Sequence, residues 1–324
     1  MLNQSCSKKI IWLKIFNIKI NINKRILPYY KRARKNPLWL LMYISGRFLI
    51  FRSLAKLLFG KPFKQKFDVS SSIFQAVDTE FITQKLKNNG SWAGLKLPLH
   101  IQKQILKFAI STECYADSHP HLGFKIFQKE QAEKRCQFFF NQAQYFNVAR
   151  TCPTIKKLAS DSILLEIASK YLGTKPTFTG TRLWWIFPVN EASYNPMRIA
   201  SYFHYDVDDY NSLRFFFYLT DVNVNSGPHI YVRGSHRNKS FTNLISPFKQ
   251  CSDEEIANYY GEENIVSICG EAGFGFAEDT FCYHKAARPK SRSRLILQLQ
   301  YAMNDYGVHN DIVDDEKLRN IINN

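Results

Sequence analysis

His204 and Asp206 stand one residue apart in the aromatic-rich stretch ASYFHYDVDDYNS, residues 200–212. In an extended strand alternate side chains share a face, with Cα atoms about 6–7 Å apart. An imidazole nitrogen and a carboxylate oxygen so spaced can converge on one ion, about 2 Å from each. The same tripeptide also fits a half-buried strand whose polar residues merely face water. The metal chemistry therefore requires a third ligand from elsewhere in the chain.

Eight histidines are available, at positions 100, 119, 121, 204, 229, 236, 284 and 309. His119 and His121 flank Pro120 in SHPHLGF and read as exposed turn residues. His229 follows the turn NSGP, and His236 in RGSHR falls between strands. His284, in EDTFCYHKAARPKSRSRLILQLQY, follows a glycine-punctuated strand and precedes a basic turn and another strand. A closed β-barrel can bring such a strand end beside FHYD. Two His and one carboxylate, with other positions open, is the ligand set of non-haem Fe(II) oxygenases.

That chemistry also needs a group to hold an anionic cosubstrate. A guanidinium fork pairs bidentately with a carboxylate, which a Lys cannot reproduce. Arg294 abuts the apolar strand LILQLQY and is the best placed to point inward; Arg288 and Arg292 compete with it. Arg214, opening RFFFYLT, is a further candidate for an anionic cosubstrate or substrate, although a surface place is the simpler reading. GEAGFGFAE (270–278) has glycine spacing loosely like a phosphate loop, but no Lys-Ser/Thr follows, so turn and bulge glycines are expected.

The elements that must position these residues are mainly β. From Thr177 onward, TFTGTRLWWIFP, YFHYDV, SLRFFFYLTDV, HIYVRGS, NIVSICG, GFGFAE and SRLILQLQYAM read as short strands separated by turn residues. That texture predicts a sandwich or barrel rather than a parallel α/β sheet. Upstream, 78–111 reads as a helix, a turn at Asn89-Gly90 and a second helix after Pro98; 129–146 and 154–172 read as helices, the latter ending at Gly173.

The charge is unevenly spread. Residues 1–67 carry 16 Lys/Arg and no Asp or Glu, whereas the rest of the 324-residue chain is nearly neutral. The boundary falls at Asp68, giving an arm (1–67) and a body (68–324). The arm holds a basic, Ile-rich segment (8–35) and a more apolar one (36–63) that Arg47, Arg52 and Lys56 interrupt, so no run reaches the roughly 18–20 residues that span a bilayer. Wound as a helix, Ser45, Arg52 and Lys56 cluster on one side, with Arg47 the misfit. Two readings stand equal: a helix lying on an anionic membrane surface, or one packed on the body with its cations snorkelling outward. Neither a secretory signal nor a transit peptide fits, and without a recognition motif no nucleic acid is expected. Seven Cys form no C-x-x-C pair, so a disulfide framework or Cys-based zinc site is not expected and a reducing cytoplasm is, with a peripheral place on the inner membrane surface as its refinement.

The order His-x-Asp, YLTDVNVNSGPHIYVRGSHR, a glycine-rich strand, a distal His and an Arg before LILQLQY resembles the phytanoyl-CoA dioxygenase family over roughly 177–304. The resemblance implies a double-stranded β-helix (jelly-roll, cupin-like) core over 177–304, with a helical lead-in over 68–176. It implies an Fe(II)- and 2-oxoglutarate-dependent dioxygenase: His204, Asp206 and His284 as metal ligands, Arg294 on the cosubstrate, O2 consumed, succinate and CO2 released and a small-molecule or acyl substrate hydroxylated. A carboxylate at Asp206 favours hydroxylation over halogenation. Arg233 stands where a Pro often precedes GSH, and Ala286 where a hydroxyl residue often follows the distal His. The alternatives are a metal-dependent hydrolase using the same ligands and a non-catalytic jelly-roll scaffold at a membrane surface.

Overall fold

The structure is a computed structural model and describes residues 27, 29–60, 67–246 and 250–322. Most of the basic segment 8–35 lies outside the described residues. Two sheets dominate, and every strand pair in them is antiparallel. The larger runs β1 (Ser91–Lys96), β11 (Phe274–Glu278), β7 (Ser212–Tyr218), β13 (Arg294–Ala302), β5 (Thr177–Ile186), β4 (Gln142–Tyr145), β2 (Glu113–Ala116), β3 (Gly123–Lys125). The smaller runs β10 (Ile265–Ile268), β8 (His229–Val232), β12 (His284–Ala286), β6 (Phe203–His204), β9 (Gln250–Cys251). This is the jelly-roll architecture that the family resemblance implies, one of the sandwich or barrel forms expected from the strand pattern.

Side-chain alternation divides the core into layers. On β13, Leu295, Leu297, Leu299 and Tyr301 pack outward with Ile82, Leu86, Ile105, Leu164 and Ile167 of the covering helices. Ile296 packs inward with Phe216, Tyr218, Tyr231 and Phe276, between the two sheets. A third cluster covers the outer face of the small sheet: Phe203, Tyr205, Val207, Phe281 and Tyr283 meet Trp39, Met42 and Tyr43 of the arm.

The lead-in departs from the helical expectation. Helices do form at Thr79–Asn89 and Leu99–Ser111, joined through Gly90 in the left-handed conformation (φ 81°) that glycine tolerates. A Cβ at Gly90 would meet Cys282 Sγ at 2.1 Å, so that glycine lets the helix end pack beside the chain leading to His284. Between these helices, however, lies β1, paired with β11. The helix expected over 129–146 stops at Cys136, where Gln137 turns left-handed (φ 59°), and Gln142–Tyr145 joins the sheet as β4. The 154–172 segment is two helices, broken where Asp161 caps the second. Short edge strands with polar residues carry too little period-2 signal to stand out from such helices.

Among the described residues the arm includes α1 (Pro37–Ser45) and α2 (Leu49–Phe59). Their polar side chains are the tethers to the body. Ser45 Oγ lies 2.9 Å from Tyr210 Oη, Arg47 donates to Ser246 O at 2.7 Å, Arg52 pairs with Asp279 at 3.3 Å and Lys56 donates to Tyr171 O at 3.3 Å. Arg52 is 6% exposed, while Ile50, Leu57 and Leu58 are 66%, 78% and 71% exposed. The cations of α2 therefore point inward and its apolar residues outward, the reverse of snorkelling. No described helix is long and apolar enough to cross a membrane.

Candidate active site

The segment FHYDV splits by alternation. Phe203, Tyr205 and Val207 pack outward into the cluster shared with the arm, and His204 and Asp206 line a cavity between the sheets. β6 covers only Phe203–His204; beyond it Asp206 is held by its backbone N–H donating to Thr280 O at 2.8 Å. β12 pairs with β6 so that His284 lies directly opposite His204, their ring centroids 4.4 Å apart. Donor atoms of His204, Asp206 and His284 all lie within 4.8 Å of one another, and among the described residues no other group of three such side chains converges in this way.

Each imidazole is oriented by backbone. His204 Nδ1 lies 3.0 Å from Tyr202 O and His284 Nδ1 lies 3.0 Å from Cys282 O. An Nδ1–H donated to a carbonyl fixes the tautomer and leaves the Nε2 lone pair for a cation. Burial, reinforced by His204, pushes His284 down to about 3, so it is neutral at physiological pH, as a ligand must be. His284 Nε2 is 3.7 Å from Asp206 Oδ2.

Arg294 opens β13 and is 1% exposed. Its Nη1 donates to Gly227 O, its guanidinium lies 5.8 Å from the Tyr218 ring, and its buried Nε has no partner. An orphaned guanidinium N–H on the wall of the cavity holding the three donors fits a carboxylate cosubstrate. The two competitors are elsewhere: Arg288 pairs with Glu191 and Val189 O, and Arg292 is exposed. Ala286 also lines the cavity and offers no hydroxyl.

Arg214 is inside the cavity, not at the surface. It donates to Asp206 Oδ2 at 2.6 Å, to Asp208, and to Gln300 Oε1 at 3.2 Å. Burial alone would lower its pKa, but the two carboxylates outweigh it and raise it. His229, which follows the NSGP turn, is a buried residue of β8. It lies 2.6 Å from Glu278 Oε2 and stacks on His284 with ring centroids 5.5 Å apart. Burial lifts Glu278 to about 8 and, together with Arg294, pushes His229 well down. The cavity is about 690 Å³, and its wall includes Gln142, Gln144, Arg182, Gln298 and Gln300.

The sequence profile for phytanoyl-CoA dioxygenase (PhyH) matches residues 117–294, more than half of the chain. No curated protein matches. Among solved structures, the epimerase SnoN in complex with Fe3+, alpha ketoglutarate and nogalamycin RO is 14% identical, with 71% of this chain and 87% of that chain covered and a TM-score of 0.50. HygX from Streptomyces hygroscopicus, with nickel, 2-oxoglutarate and hygromycin B bound, is 13% identical over 68% of this chain and 86% of its own, TM-score 0.46. EctD from S. alaskensis, with 2-oxoglutarate and 5-hydroxyectoine, is 15% identical over 74% and 80%, TM-score 0.47. At such identities the likeness is one of fold. With the profile match over the strands that carry the candidate ligands, the chain belongs to the phytanoyl-CoA dioxygenase family, enzymes dependent on Fe(II), 2-oxoglutarate and O2.

Proposed function

We propose that this chain hydroxylates a C–H bond of a small molecule, with His204, Asp206 and His284 holding Fe(II) and Arg294 binding the far carboxylate of 2-oxoglutarate. The observation that carries the reading is the meeting of three metal-binding donors and a buried, partly unpartnered guanidinium on one cavity. When bound, Fe(II) and 2-oxoglutarate supply the oxidising power, with O2 consumed and succinate and CO2 released. The protein's own part is positioning. Two backbone carbonyls set the imidazole tautomers, Arg214 fixes the orientation of the Asp206 carboxylate, and Tyr218 backs Arg294. A carboxylate at Asp206 leaves no place for a halide ligand, which supports hydroxylation. We assign this activity to residues 68–324, with 1–67 as an arm. Anaerobic addition of Fe(II) and then 2-oxoglutarate tests the reading: a visible charge-transfer band is expected, and an iron-loaded protein without one refutes it.

We also propose that the arm docks on an anionic lipid surface, a peripheral location on the inner membrane. Its support is the set of exposed apolar side chains on the two helices, Leu38, Leu41 and Ile44 of α1 and Ile50, Leu57 and Leu58 of α2, together with the absence of any acid from residues 1–67. Apolar burial and attraction to anionic headgroups then add. A second copy would bring its own cationic arm and repel. Deleting residues 1–67 is a poor test, because Trp39, Met42 and Tyr43 cover Phe203, Tyr205 and Tyr283. Leu57→Glu with Leu58→Glu changes only exposed side chains. It should abolish flotation with phosphatidylglycerol-rich vesicles, and raised salt should weaken the unmodified protein's binding. Retained flotation, or self-association lost in the variant, would refute the lipid assignment.

A further inference from the structure

Arg182 sits on β5 directly opposite Gln298 of β13 and lines the cavity that holds the candidate iron ligands. Its Nε donates to Gln144 Oε1 at 2.9 Å and its Nη2 to Gln142 Oε1 at 3.2 Å; the guanidinium lies 4.7 Å from the Trp184 ring centroid. Both amide oxygens are neutral. Among the described residues no carboxylate comes within ion-pair distance of Arg182, and its Nη1 makes no hydrogen bond.

Among the described residues, two of the other guanidinium groups on the cavity wall are paired with carboxylates, whereas Arg32 and Arg294 are not. Arg198 is paired with Asp117, and Arg214 with Asp206 and Asp208. Arg32 reaches Asn310 from the arm. The acids that act on Arg182 from a distance are engaged elsewhere: Asp206 by Arg214, and Asp311 by the Thr181 N–H at 2.9 Å. Burial, and then the like charge of Arg214, push Arg182 down to about 10, so it remains a cation at neutral pH with no carboxylate in direct contact. A half-buried cation held in a fixed fork by two neutral glutamines is poised to pair with an anion. The proposed binding of 2-oxoglutarate by Arg294 accounts for one uncompensated guanidinium and leaves this one.

We propose that Arg182 anchors an oxyanion group of the substrate, which is therefore a polar, anionic small molecule rather than a bare acyl chain. The inference rests on the oxygenase reading above. Two N–H groups of Nη1 and the second N–H of Nη2 form the edge that the glutamines leave for a carboxylate or phosphate oxygen pair. Gln298 and Gln300 on the same wall supply neutral hydrogen-bonding partners for the remainder of such a molecule.

The test uses full-length protein loaded anaerobically with Fe(II) and 2-oxoglutarate, so that Arg294 is occupied. Calorimetric titrations with sodium acetate and with inorganic phosphate, against sodium chloride at matched ionic strength, distinguish a carboxylate from a phosphate preference. One of the two oxyanions should bind, and Arg182→Gln should weaken it at least tenfold, with Arg182→Lys in between. The 2-oxoglutarate concentration that half-saturates the charge-transfer band should stay within about twofold in both variants. Unchanged oxyanion affinity in Arg182→Gln overturns the proposal, as does failure of either oxyanion to bind the loaded protein. A tenfold shift in 2-oxoglutarate affinity also overturns it, making Arg182 the cosubstrate's residue. Absence of the band in unmodified protein, with Arg182-dependent oxyanion binding intact, sinks the oxygenase reading and leaves the anion site standing. Arg182→Lys keeps the charge and the stem, so it reports even if Arg182→Gln fails to fold.

Discussion

Replacing Arg294 with Lys separates cosubstrate binding from metal binding. The Arg294 side chain is buried, donates Nη1 to Gly227 O and has an unpartnered Nε. A Lys ammonium in the same place keeps one positive charge and loses the two-pronged geometry. A hydrogen bond to a charged group contributes about 1.5–3 kcal/mol. Losing one prong, taken as about 2 kcal/mol, corresponds to a roughly 30-fold weaker affinity for 2-oxoglutarate. Arg294 donates to Gly227 O, with Tyr218 beside it, and makes no hydrogen bond to His204, Asp206 or His284, so Fe(II) affinity should change by less than about threefold. The assay is an anaerobic titration of 2-oxoglutarate into iron-loaded protein, followed at the charge-transfer band, with iron affinity measured separately. A cosubstrate shift below about threefold, or an equal loss of iron affinity, refutes the assignment. A larger cosubstrate shift in Arg288→Lys or Arg292→Lys would transfer the role to that residue.

Ala at His204, Asp206 or His284 should each remove bound iron, measured by elemental analysis, and bring 2-oxoglutarate turnover to background with the fold retained; succinate production retained in any two would mean the ligands are misassigned. Arg52→Met should strand buried Asp279, also bonded by Tyr171 Oη at 2.6 Å, and cost about 3–5 kcal/mol in urea unfolding; an unchanged midpoint would show that α2 is not held through this pair. Lys239, whose buried ammonium has no hydrogen-bond partner and lies 3.8 Å from the Tyr283 ring centroid, is pushed by burial from 10.5 to about 7. Between those values the unfolded chain holds a proton that the folded chain lacks, so stability should rise with pH across that window, and Lys239→Met should flatten the rise; an unaltered slope in urea unfolding at several pH values would contradict this.

The strands that carry the chemistry were legible because their turns are punctuated and their ligands lie at strand spacing. His204, Asp206, His284 and Arg294 were all singled out, and all four line one cavity. What was not legible has physical causes. Arg214 sits in SLRFFFYLT, where Leu213, Phe215 and Phe217 pack outward while Phe216 and Tyr218 pack inward. With both faces buried, composition gives no clue to which side Arg214 faces. His229 was hidden by the preceding NSGP turn, although HIYV places it on the face of Tyr231. The arm shows the limit most clearly. A helical wheel separates Arg52 and Lys56 from the leucines but does not say which side meets the body, and here the cations do.

The opposition of His204 and His284 across β6 and β12 has an evolutionary consequence. Two of the proposed ligands are brought together by a single backbone pairing, in strands of two and three residues. Shifting either strand by one position would turn its histidine to the other face. Lineages of this chain can therefore drift in sequence, and in the length of the connection between those strands, with little consequence for iron. A one-residue insertion or deletion within 203–206 or 282–286 would separate the proposed ligands, even with each of them still encoded.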